Sequence, residues 1–148
     1  MATAEGLHRL FELLPLDQAM SHLLATTTGP EEARAWVTNS QATPAVKAAL
    51  WLYVDDLEKA HGIVQDLHNP SGSFIHAIVH RREGDYPNSK YWYSQAGRHP
   101  VIGALAGYQP YSFVDQAQKA GAANPPDLVD LQRAEWKAIF DYVVQEGI

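Results

Sequence analysis

His76, His80 and Glu83 are spaced i, i+4 and i+7, so a helix through them puts two imidazoles and a carboxylate on one face. The preceding segment holds Glu58 and His61 at i, i+3, the spacing of helical carboxylate–histidine metal sites. If the two segments fold back antiparallel, His61 and His76 become neighbours in space. Glu135 falls in an apolar stripe with Leu131 and Ala138, an expensive place for an unpaired carboxylate. These residues could hold a divalent metal. His61, His76 and His80 would be the ligands, and Glu58, Glu83 or Glu135 would complete the shell or act as base in hydrolytic chemistry. The His-Glu-x-x-His order of zinc proteases and the paired Glu-x-x-His of di-iron bundles are both missing.

The same region offers a second chemistry. Arg81, Arg82, Lys90 and Arg98 lie among Tyr86, Tyr91, Trp92 and Tyr93, making a basic, aromatic-rich stretch in an acidic chain. Guanidinium forks suit carboxylates or phosphates, and Tyr91 or Trp92 could stack on a flat ligand. The preferred expectation is a pocket for a small anionic ligand or a partner segment, lined by His76, His80, Arg81, Arg82, Tyr91 and Trp92. A metal-dependent enzyme is the alternative, and a scaffolding protein is the third. All compete with a plainer reading, in which histidines, acids, arginines and tyrosine hydroxyls satisfy one another and the aromatics pack helices. His8, His22, His68 and His99 have no partner at a useful spacing and read as surface residues.

His80, Arg81, Arg82 and Glu83 span roughly 300° around one helix at 100° per residue. They cannot all face solvent if Phe74, Ile75, Ile78 and Val79 anchor that helix in a core. At least one charge must be buried and paired, with Asp55, Glu58 and Glu135 the leading partners.

The elements that must position these residues are helical. Apolar positions from 4 to 24 run at helical spacing, with Pro15 dividing one helix from another that begins near Met20. Pro30 opens a short helix ending near Asn39, and Thr43-Pro44 opens a long one running to about His68. Trp51 and Leu52 lie off its apolar stripe, so it is covered on more than one side. Asn69 to Gly72 reads as a type I turn, Ser73 as the cap of a helix to Glu83, and Gly84-Asp85 as the stop and restart. Gly97 closes that helix, a short helix and loop span Pro100 to Pro110, and a helix from about Ser112 stops at Gly121. Asn124-Pro-Pro-Asp127 opens the last helix, apolar on two faces and running to about Gln145. No stretch alternates long enough for a strand. The expected fold is an all-α, single-domain bundle of about seven to eight helices over residues 1–148, with the 45–68 and 125–145 helices as its central pair.

Composition narrows the function classes. The 148 residues are 46% hydrophobic and 19% charged, as in globular domains. A net charge of −6 argues against general nucleic-acid or anionic-membrane binding, which needs excess Lys and Arg. The absence of cysteine excludes disulfides, thiolate catalysis and Cys-ligated metals, and suits a reducing cytoplasm. Met1 to Leu10 lacks the basic and apolar runs of a signal peptide.

Two resemblances add to this. Gly84, Tyr86, Tyr93 and Ala96 stand where a tetratricopeptide repeat has its turn glycine, aromatics and small residue, so the segment resembles one such helical hairpin. Ser89 replaces the usual alanine, and only one unit is visible where about three are needed to bury a continuous core. The span Trp51 to Pro100, with Ala134 to Tyr142, resembles a family of small uncharacterised bacterial helical proteins. The phrase that carries it is Gly-Ser-Phe-x-His-x-Ile-x-His-Arg-Arg-Glu-Gly-Asp, here Gly72 to Asp85. That resemblance implies an all-helical fold and assigns no catalytic residue.

Overall fold

Prolines punctuate the chain. In a computed structural model describing residues 4–148, six of the nine helices carry proline in the first turn, where its missing N–H leaves no bond unmade. The order is α1 Ala4–Leu13, α2 Glu31–Asn39, α3 Pro44–Tyr53, α4 Leu57–Val64, α5 Pro70–Arg82, α6 Tyr86–Ala96, α7 Pro100–Ala104, α8 Pro110–Ala120 and α9 Pro126–Glu146. There is no strand among the described residues. The all-α expectation holds, and one hydrophobic cluster draws side chains from every helix. No helix of the described residues is long and apolar enough to cross a membrane. Met1 to Thr3, and the leader-peptide reading that touches them, lie outside those residues.

Three local expectations are corrected. No second helix starts near Met20: residues 15–20 make turns, and Met20 itself sits at φ +50°. The long 45–68 helix is two helices, because Asp55 adopts φ +61° and Asp56 caps α4 by accepting from Lys59 N at 3.1 Å. The periodicity survives the break, which is why it read as continuous. The helix expected from Ser73 begins at Pro70, where Asn69 accepts from Gly72 N at 2.8 Å. An Asn-Pro pair serves a turn or a helix start equally well, and here it starts α5.

The helix buried on every side is α5, not α9. Every residue from Ser71 to Arg82 is buried. It packs most extensively against α6, with Ser89 Oγ donating to Ala77 O at 2.7 Å inside the contact. Gly84, at φ +83°, makes the tight link between the two. The helix α3 is buried from Ala45 to Tyr53 apart from Lys47, in line with its expected cover on more than one side. By contrast α9 buries residues of both expected apolar faces, Leu128 and Ile139 on one and Val129, Trp136, Phe140 and Val143 on the other, and leaves Asp127, Asp130 and Asp141 outside.

Candidate functional site

The site is assembled by the α3–α4 break and the α4–α5 turn. The break at Asp55 frees α4 to leave the line of α3, and the short link through Leu67 brings it back against α5. That return is tight. A Cβ on Gly72 would lie 2.6 Å from Leu67 Cβ and 2.7 Å from Leu67 O, so only glycine fits there.

The approach places His61 of α4 beside His76 and His80 of α5. Ring centroids are 4.9 Å apart for His61–His76, 5.4 Å for His61–His80 and 4.8 Å for His76–His80. One nitrogen from each ring lies within 4.8 Å of the others. His76 is 3% exposed, stacks on Trp92 at 3.9 Å, and its Nδ1 has no hydrogen-bond partner. Burial, then the neighbouring His80 and His61, push its pKa down to about 4, so it is neutral at pH 7. His80 Nδ1 bonds Glu83 Oε1 at 2.6 Å, with Asp85 Oδ2 3.8 Å away. In the neutral ring that bond selects the tautomer in which Nδ1–H donates to the carboxylate, which leaves the Nε2 lone pair for a ligand.

This donor set fits a metal ion. It has three imidazoles, one neutralised by burial and one oriented by a carboxylate, as outer-shell partners orient metal-bound histidines. A tetrahedral ion with bonds of about 2.0–2.1 Å sets its ligand nitrogens about 3.3 Å apart, so loading requires the rings to close by up to about 1.5 Å. Zinc, copper, iron and nickel all suit imidazole. Of the expected acids, only Glu83 is nearby, and it supports His80 from behind. Glu58 is exposed and joins no potential ligand group among the described residues. Glu135 is sealed elsewhere.

Glu135 belongs to a buried charge network. Arg81 Nη1 lies 2.8 Å from Glu135 Oε1 and donates to Tyr93 OH at 2.7 Å. Tyr93 OH donates to Glu135 Oε2 at 2.6 Å, and Tyr108 OH donates to the same oxygen. Burial raises both phenol pKa values, which keeps them protonated as donors. Arg82 Nη2 lies 2.8 Å from Asp55 Oδ1 and donates to His22 O at 3.0 Å, while Nη1 donates to Leu52 O at 3.3 Å. Two of the three acids foreseen as partners are therefore the partners found. Both guanidinium groups are enclosed, with no exposed fork for a ligand, so their expected role as ligand-binding arginines is corrected to one of holding helices together. Tyr91 is exposed and Trp92 half-buried, packed edge to face at 5.1 Å beside His76.

His99 was expected at the surface and is 4% exposed. Its Nδ1 accepts from Val101 N at 3.1 Å and caps α7, so Nε2 carries the proton and donates to Ser71 Oγ at 2.9 Å. A serine nucleophile needs the opposite tautomer, with Nε2 free to take its proton, so this pair is structural. The one sequence signal was His99 directly before a helix-opening proline, the position of a cap. Two cavities of about 440 and 300 Å³ flank His99, and neither is lined by the three clustered histidines. No protein-family model, curated protein or solved structure matches the chain.

Proposed function

We propose that this protein binds one divalent transition-metal ion through His61, His76 and His80, leaving a coordination position open. The observation that carries the reading is the meeting of three imidazoles from two helices around His76, whose buried Nδ1 has no partner. An ion held by three imidazoles supplies Lewis acidity and lowers the pKa of a bound water, the basis of hydrolytic chemistry. Glu83 holds His80 in the tautomer a ligand needs, and Trp92 fixes the plane of His76. A small anion would find its place at the open position and not at the enclosed twin arginine.

The test uses tag-free protein, stripped of metal and titrated with zinc or cobalt. We expect one equivalent bound, with cobalt giving the intense visible absorption of a tetrahedral site. Single alanine substitutions at His61, His76 and His80 should each weaken binding at least tenfold, whereas His8→Ala should leave it unchanged. Absence of stoichiometric metal, together with an unchanged thermal midpoint after zinc addition, overturns the proposal.

A further inference from the structure

The two cavities beside His99 share three lining residues, Arg98, His99 and Pro100. Arg98 is exposed and makes no ion pair or hydrogen bond among the described residues, unlike Arg81 and Arg82. The larger cavity, about 440 Å³, falls within the usual range for small-molecule sites. Its walls include Ile102, Pro110 and Tyr111, which is 40% exposed. Gly103 also lines it, and a Cβ there would meet nothing within 4 Å.

Two side chains lining this cavity, Arg98 and Gln109, have unspent donors. Gln109 spends its side-chain oxygen on Ser112 N at 2.8 Å, which leaves its amide NH₂ unspent. Both nitrogens of His99 are committed, and no carboxylate side chain lines the cavity. A guanidinium and an amide donor at an apolar cleft without an acid are complementary to an anion carried on an apolar body.

We propose that this cavity binds a small organic carboxylate, its charge on Arg98 and Gln109 and its apolar body against Ile102, Pro110 and Tyr111. The site is separate from the histidine cluster and does not depend on metal there.

Benzoate is the probe, with benzamide as its neutral counterpart, followed by amide NMR of the isotope-labelled chain. Benzoate should shift the Gly97 and Gly103 signals saturably, and benzamide should bind at least tenfold more weakly. Arg98→Gln should weaken benzoate at least tenfold. Gly103→Leu, which adds a bulky side chain to the cavity lining and improves helix propensity, should abolish binding in a folded protein. His76→Ala should bind benzoate like the wild type, so failure here is distinguishable from failure of the metal site. No saturable shift with benzoate, equal binding of benzamide, or Arg98→Gln binding within twofold of wild type each overturns the proposal.

Discussion

His76 and His80 sit one turn apart on α5, yet their surroundings differ. His80 has Glu83 as a hydrogen-bond partner, whereas His76 is enclosed by Trp92 and two other imidazoles. Because the folded protein holds the His76 pKa near 4, the unfolded chain binds the extra proton first as pH falls. Stability is therefore complete above the unfolded value of about 6.5 and declines towards pH 4, by at most about 1.4 kcal/mol per pH unit for this group. Urea unfolding of metal-free protein across that range should show the decline, and His76→Phe should flatten it in part. His99, whose pKa burial also lowers, supplies a remainder of the same sign. At the buried pairs, Arg81→Ala strands Glu135, which has no exposed surface. It should cost about 3–5 kcal/mol. Arg82→Ala should cost less, because the Asp55 side chain is 21% exposed and water reaches it. Equal losses in chemical denaturation would remove the distinction between the two pairs.

At the scale of elements, the histidine cluster depends on how closely α4 returns to α5. Gly72→Ala places a methyl against the Leu67 carbonyl, which belongs to backbone and cannot swing aside. Overpacking of this kind costs about 1–3 kcal/mol, so the unfolding midpoint should fall. The substitution should also weaken metal binding without touching a ligand, because it pushes His61 away from His76. A variant with normal metal affinity would show that the two helices adjust independently of the turn. Asp55 is the other joint. Asparagine tolerates its left-handed conformation but carries no charge, so Asp55→Asn isolates the ion pair with Arg82 from the backbone bend.

Over the whole molecule, the core is organised by one aromatic stack. Trp136 lies 4.6 Å from Tyr53 and 4.7 Å from Phe140, and its Nε1 donates to Ala49 O at 2.8 Å. These contacts join α9 to α3, and Phe11 adds α1 by packing against both Tyr53 and Phe140. Trp136→Ala removes a fully buried ring and its indole bond to the Ala49 carbonyl, and should cost about 3–5 kcal/mol in urea unfolding. A loss below about 1 kcal/mol, the size of an ordinary surface change, would mean α9 is not docked on α3.

The elements were legible because helix signals are local. Pro44, Pro87, Gly97 and Gly121 mark starts and stops by their own backbone preferences, and those boundaries hold. That at least one charge of the His80 to Glu83 run is buried and paired was legible too, since four consecutive polar residues cannot share one solvent face of an anchored helix. So was the chance that His61 meets His76 and His80, given a fold-back. What periodicity could not carry was the break at Asp55. A non-glycine residue at positive φ is held there by tertiary contacts, here Arg82 on its side chain. The same reason hid the centrality of α5 and the burial of His99. A charged or polar side chain reads as exposed until its partner arrives from a distant part of the chain. For Arg81, Glu135 and Tyr93 that partner is 42 or more residues away, or across a helical hairpin, and only the packed structure brings it within reach.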